Sequence, residues 1–494
     1  MTTKGCAIFI CLIFVAWGCV ELTPEMQLIH DAAEAMGGEG NIADTETLLL
    51  VGEGQLYRLG QNSAPGDTLP YWELDEYRHE FDFVNDRRRV IQRRTSTFLT
   101  GNPLLREEQT LGLDGDTAYT ISEDGTVRRD TVQTARDRQA DRYHHPLALV
   151  QLALAEGSTV GNLRQDDGQD AVDITSASGE TYTMYVDPTT QYPTRIVSTG
   201  YHTNLGDVTL TTRFDDYSET GGLGGFQARL TLPRGISVET DGFTTREFRV
   251  TATPDADLGD LSAPEEARAA TPPEFQARVQ VEEMGDGLWL LAGQSHHSVL
   301  VEFTEFLALV EAPQHDARTL AVIEKAREIQ PDKPLRYVVN THHHFDHSGG
   351  IRAAVSEGVT VIAHARNAEF YEDIVRRPHT RQPDALARTP RDLSLELVGN
   401  EVYELSDGRR TMQIARIRLG SHADAMLVAY LPSERILIEA DAYTPNARLS
   451  PFAGALLEAI NEFEWRVDRI LPLHGDVVDM AMLEEAVEQE SNRR

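Results

Sequence analysis

Residues 342–347 read His-His-His-Phe-Asp-His and contain the pattern His-x-His-x-Asp-His. If this stretch is a loop following a buried strand, His342 and His344 alternate and can point the same way. Asp346 and His347 then turn toward a second position. A pair of adjacent divalent cations needs this kind of arrangement, with several strong donors on one rigid loop divided between two places. With 16 histidines in 494 residues, chance would produce the pattern in roughly one such chain per thousand or fewer.

Further donors stand just past later apolar runs. His422 follows residues 412–419, Asp441 follows 435–439, and His474 follows 470–472. Side chains in such places converge at one edge of a sheet. No thiolate is available to the site, because Cys6, Cys11 and Cys19 all lie at the extreme N-terminus. Imidazole and carboxylate are therefore the strong ligands, which points to zinc. The net charge is −34, from 79 acidic and 45 basic side chains. A surface of that sign repels polyphosphates, so a small-molecule substrate is expected and a nucleic acid is not.

The elements that must position these residues begin with a buried strand at 335–339 that runs straight into Asn340-Thr341-His342. Other short apolar strands are expected at 288–292, 299–303, 306–310, 360–363, 412–419, 426–431 and 435–439, with helices at 319–329 and 452–467. Sheet hairpins mixed with crossover helices fit two sheets sandwiched between helices, an α/β architecture. The chain is too long for one core, and its first part reads differently. A helix should start at Thr23-Pro24 and stop at Gly37-Gly38. Strands are expected at 47–57, 116–122, 180–186, 207–214 and 226–232, with one helix at 146–155. That pattern is a mostly antiparallel β domain over 21–260. An Asp-, Pro- and Ala-rich linker at 261–274 separates it from the second domain at 275–494.

Residues 1–20 read as an export signal, with Lys4 ahead of an uncharged apolar run. Ala16-Trp17-Gly18-Cys19 resembles a lipoprotein processing box, so a lipid on Cys19 would attach the protein to a membrane. Ordinary cleavage and a retained anchor are the alternatives. The expected location is the periplasm or cell envelope, and the sequence carries no expectation of oligomeric state.

From about residue 275 to 487 the chain resembles a metallo-β-lactamase-superfamily hydrolase, most closely over 341–350, Thr-His-His-His-Phe-Asp-His-Ser-Gly-Gly. The resemblance implies an αββα sandwich. It places His342, His344 and His422 on a first zinc and Asp346, His347 and His474 on a second, with Asp441 bridging. It implies that a hydroxide held between the two Zn2+ ions cleaves an ester, thioester, lactone or related bond. Asp346 would be catalytic as well as ligating, orienting the nucleophile or shuttling its proton. Three positions depart from the family pattern. Glu311 replaces the usual Asp, 420–424 reads Gly-Ser-His-Ala-Asp, and Ala440 stands in place of Gly. The ligand set resembles those of glyoxalase II-type thioesterases, lactonases and phosphodiesterases. Mononuclear iron dioxygenases of the superfamily retain similar residues, so iron is the alternative metal. The layout of the first domain resembles the half-barrels of outer-membrane lipoprotein carriers, which makes a lipid-binding module with an accessory metal domain the alternative function. Beside the main motif, His343 is expected to point away and His296-His297 to sit in a turn flanking the cleft, solvated by default or contacting substrate as the alternative. Arg376-Arg377, His379 and Arg381 are expected on a solvated face or, if folded over the site, facing an anionic substrate.

Overall fold

A computed structural model describes residues 22–98, 105–220, 229–447 and 451–493. The leader and Cys19 lie outside the described residues, as do positions 226–228 of one expected strand. Among the described residues no helix is long and apolar enough to cross a membrane.

The described residues open with the helix Pro24–Ala35, where Thr23 Oγ1 accepts from Met26 N at 3.3 Å and proline takes the first turn. Its apolar face, Leu28, Ile29 and Ala32, packs on a thirteen-stranded antiparallel sheet. Thr47–Tyr57 lies near the middle of that sheet, paired with Phe243–Pro254 on one side and Tyr71–Asp82 on the other. From this seam successive hairpins run outward to Val127–Arg129 and to Thr159–Asp166. The helix Pro146–Leu154 adds Leu147, Leu149 and Val150 to the same core.

Eight of the thirteen strands were not named from the sequence, among them Tyr71–Asp82 and Arg87–Ser96. Tyr71–Asp82 buries Trp72, Leu74, Tyr77 and Phe81 with charged residues standing between them, and Arg87–Ser96 carries five arginines. Buried Glu80 takes Arg78 and Arg89, each at 2.6 Å. The polar helix Val132–Arg142 escaped notice for the same reason. The last strand expected before residue 232 begins only at Thr231. The stretch expected as a linker contains the helix Glu265–Ala269, whose Ala267 is buried beside Tyr119. Ala263 N donates to Asp114 Oδ2 at 2.9 Å, which ties this stretch to the sheet edge.

Beyond it, seven strands from Gln280–Gly285 to Ser394–Val398 form one sheet, and six from Tyr403–Ser406 to Val478–Asp479 form another. The two share a core in which Val299, Val310 and Ile362 face Ile414, Leu427 and Ile438. Asp316–Ile329 and Ile351–Ser356 cover the first sheet through Val322, Ile323, Ile351 and Val355. Ala453–Glu462 and Met480–Arg493 cover the second through Leu456, Ile460 and Leu483. The result is the expected helix–sheet–sheet–helix sandwich. Leu307–Val310, Leu335–Val339 and Thr360–His364 run parallel, as do Ile436–Glu439 and Arg469–Pro472. Parallel strands end at a common edge, so the loops that follow them meet there.

Candidate metal centre

Leu335–Val339 ends at Asn340, whose N–H donates to Ile362 O at 3.0 Å, and the chain then leaves the sheet. The single helical turn Phe345–Ser348 re-aims it, with His347 N and Ser348 N donating to His344 O at 3.0 and 2.8 Å. His342 and His344 therefore precede the turn while Asp346 and His347 stand on it. Asp441 follows Ile436–Glu439, where the Glu439 carboxylate holds the next loop by accepting from Ala442 N at 2.9 Å. His474 follows the neighbouring parallel strand, and His422 sits in a turn closed by its own N–H to Leu419 O at 3.0 Å.

These loops produce two adjoining groups. His342, His344, His422 and Asp441 present ligand atoms within 4.8 Å of one another, and so do His296, Asp346, His347 and His474. Asp441 faces both. Its Oδ2 lies 2.8 Å from His422 Nε2 and 3.2 Å from His342 Nε2. Its Oδ1 lies 3.1 Å from His347 Nε2 and 3.0 Å from His474 Nε2. All seven residues singled out in the sequence are thus brought together.

The donor atoms suit cations. His344 Nδ1 is buried without a hydrogen-bond partner, and His342 Nε2 is buried with only Asp441 Oδ2 near it, at 3.2 Å. His347 Nε2 and His474 Nε2 approach each other to 3.1 Å, which two neutral imidazole lone pairs would resist. These two groups of nitrogen and oxygen donors fit metal cations. The opposite nitrogen of several rings is already held. His347 Nδ1 pairs with Glu311 Oε2 at 2.8 Å, His344 Nε2 with Asn62 O at 2.9 Å, and His474 Nδ1 with Ser295 O at 3.1 Å. Such partners set the tautomer and aim the free nitrogen into the centre. Glu311 is fully buried at φ 84° and also takes Thr341 Oγ1 at 2.6 Å. A non-glycine residue held in that strained region, with its carboxylate spent on the His loop, is the sort of cost a functional site carries.

His296 is the residue that sequence reasoning misplaced. It is buried rather than in a solvated turn, and its Nε2 lies 3.2 Å from Asp346 Oδ2. Arg318, itself fully buried, holds that turn by donating to Leu291 O at 3.0 Å and His296 O at 3.2 Å. The first part of the chain also reaches the centre. Gln61 Nε2 donates to Asp346 Oδ1 at 2.8 Å, and Asp424 N donates to Ser63 O at 2.9 Å. Gly60, at φ 74°, lies so close under the Phe345 ring that a β-carbon would collide with it. Nothing local in 60–63 signals this role, because the partners are more than 280 residues away.

His343 turns from both groups toward Asn62 Oδ1, at 3.3 Å. Of the basic run, Arg376 and Arg381 are exposed, as on a solvated face, while His379 is buried. Arg377 pairs with Asp241, and Arg381 pairs with Glu180 at 3.0 Å, both on the thirteen-stranded sheet. The run fastens the two parts of the chain together.

Burial, helped by the neighbouring His347, pushes the His342 imidazole down to about 4. Burial also works against charge on Asp441 and Asp346, yet His347 and hydrogen bonds from neighbouring rings hold both carboxyls below the usual range. His347 shows the converse. Burial opposes its charge, but Asp441, Asp346 and Glu311 raise it well above an ordinary imidazole. The centre is built to have positive charge in it.

Residues 291–448 match a family model described as the metallo-beta-lactamase superfamily. Among solved structures, the chain is similar to a metallo-beta-lactamase from Pontibacter korlensis, at 16% identity and TM-score 0.35, over 44% of this chain and 100% of that one. It is also similar to the metallo-beta-lactamase FIM-1 from Pseudomonas aeruginosa in its mono-zinc form, at 18% identity and TM-score 0.35, over 45% and 98%. A metallo-beta-lactamase from Hirschia baltica aligns at 20% identity and TM-score 0.33, over 42% and 96%. No curated protein matches the chain.

Proposed function

From a C-terminal part with the metallo-β-lactamase fold and paired His/Asp clusters, we propose that this protein is a dinuclear zinc hydrolase acting on an ester, thioester, lactone or related bond of a small molecule. The observation that carries the reading is Asp441, one carboxylate whose two oxygens address separate groups of imidazoles. His342, His344 and His422 would hold one ion and Asp346, His347 and His474 the other, with Asp441 shared. Such ions, when bound, supply Lewis-acid polarisation of the group under attack and acidify water.

The protein's own residues do the rest. Asp346 is clamped by Gln61 on one oxygen and His296 on the other, so its carboxylate is presented in one orientation. A carboxylate so fixed is suited to orient attacking water and accept its proton. Residues 60–63 cover one side of the centre through Gln61 and Asn62. Export by the N-terminal segment, and lipid attachment through Cys19, complete the proposal and place the enzyme in the periplasm or cell envelope.

The test is elemental analysis of the purified chain together with a screen of ester, thioester, lactone, β-lactam and phosphodiester substrates. About two zinc ions per chain and turnover of an acyl substrate are expected. One iron with no zinc, or two zincs with no hydrolysis of any class, overturns it.

A further inference from the structure

Where Thr47–Tyr57 leaves the thirteen-stranded sheet, the next residue is Arg58. Its backbone is fixed on both sides: Arg58 N donates to Pro70 O at 2.7 Å, and Arg58 O accepts from Gln61 N at 3.2 Å. The Gln61 side chain is the one that reaches Asp346 at 2.8 Å. Arg58 therefore belongs to the same tight turn that touches the metal centre.

Its guanidinium lines a cavity of 480 Å³ with Leu56, Tyr57, Trp72, Arg94 and Phe98. It stands 4.6 Å from the centre of the Phe98 ring, and Arg94 stands 4.5 Å from that of Trp72. The two cations differ in one respect. Arg94 is neutralised by Glu107 at 2.6 Å, whereas no carboxylate among the described residues lies within ion-pair distance of Arg58. Elsewhere in this part of the chain, Arg88 and Arg246 share Asp141, and Arg138 has Asp130. Burial lowers the pKa of Arg58, and the first influence opposing it is the charge of Asp346, with Asp441 also contributing. Those two carboxylates belong to the centre, and once they are engaged by cations they no longer compensate Arg58. A partly desolvated guanidinium without a counter-ion favours a carboxylate-like fork, and the aromatic walls favour a flat apolar body.

We infer that this cavity recognises an anionic group, a carboxylate or sulfonate, carried on an aromatic or flat apolar part of the substrate, with Arg58 as its anchor. The cavity flanks the centre, so the bond to be cleaved would lie on the other side of that substrate. The inference rests on the hydrolase reading only for the cleavage, not for the binding.

Benzoate titrated into the full-length protein, read by the fluorescence of Trp72, tests it. Saturable quenching is expected, absent in Trp72→Phe and absent with benzyl alcohol. Arg58→Gln should weaken it at least about tenfold, the scale of one charge-assisted hydrogen-bonded pair, while Arg58→Lys retains part of it. Circular dichroism and metal content are checked on the same samples. Equal benzoate affinity in wild type and Arg58→Gln overturns the inference. So does binding that disappears on chelation but ignores the Arg58 substitution, since the anion would then sit on the metals. The second readout is hydrolysis of 4-carboxyphenyl acetate against phenyl acetate, where Arg58→Gln should raise KM for the charged ester alone. A rise of the same size for both esters also overturns it. If zinc-loaded wild type cleaves neither ester but binds benzoate through Arg58, the hydrolase reading fails and the anion site stands.

Discussion

Asp346 has each carboxylate oxygen engaged from a different quarter, Gln61 on Oδ1 and His296 on Oδ2. Its partners both donate, so the residue must offer acceptors, and its orientation is settled before any substrate arrives. Asp346→Asn keeps the volume and one acceptor oxygen, so the fold and the three-histidine group should survive. The charge that orients attacking water and accepts its proton is lost. General acid–base groups contribute typically about 10²–10⁴-fold, so kcat should fall at least about a hundredfold with the first metal still bound. Steady-state kinetics and metal content on one sample check this. A near-normal kcat would mean that hydrolysis happens somewhere else.

At the scale of elements, the helix Pro146–Leu154 packs on the thirteen-stranded sheet just after two buried imidazoles. His144 is held between Thr212 Oγ1 at 2.9 Å and Ser198 Oγ at 2.7 Å, whereas both ring nitrogens of His145 lack a partner. Burial pushes them down to about 4 and about 3, respectively. Both are neutral in the fold, while in the unfolded chain each titrates near about 6.5. Their contribution is therefore intact above that value and is lost as acid protonates only the unfolded state. Between pH 7 and pH 5 each should cost about 2 kcal/mol of stability, from a slope of about 1.4 kcal/mol per pH unit. Urea unfolding at the two pH values measures it, and His145→Phe should remove its share of the difference. An unchanged difference in that variant would show that the imidazole is not the group responsible.

For the whole molecule, the two parts of the chain are not separable at the centre. A linker and two self-contained patterns lead one to expect that residues 275–494 hold the metal residues alone. Yet His344 hands its Nε2 to Asn62 O, Asp346 takes Gln61, and Arg377 and Arg381 grip the thirteen-stranded sheet. Loss of such supporting hydrogen bonds typically costs about 10–100-fold in metal affinity. The fragment 275–494 should accordingly bind zinc at least about tenfold more weakly than the full chain, measured by competition with a chromophoric chelator. Equal affinity would show that residues 60–63 only cover the site.

The seven donors were legible in the sequence because each stands on or just past an apolar run, and strand ends in such a sandwich are forced to one edge. The αββα layering was legible for a related reason, since buried strands and amphipathic helices each impose a period on their residues. The strands Tyr71–Asp82 and Arg87–Ser96 were not, because charged residues interrupt the buried Trp72, Leu74, Tyr77 and Phe81 of the first and five arginines crowd the second. His296, Gln61, Asn62 and Arg58 were hidden for another reason. What makes His296 part of the centre is Arg318 gripping its turn from another helix. What brings Gln61 and Arg58 there is a sheet whose first strand pairs with its last, carrying residue 61 across 285 positions to Asp346. Local composition determines which residues can ligate and which segments must be buried. Only long-range packing decides which polar side chains of the other half of the molecule meet them, because those contacts depend on relative placement and leave no period in the chain.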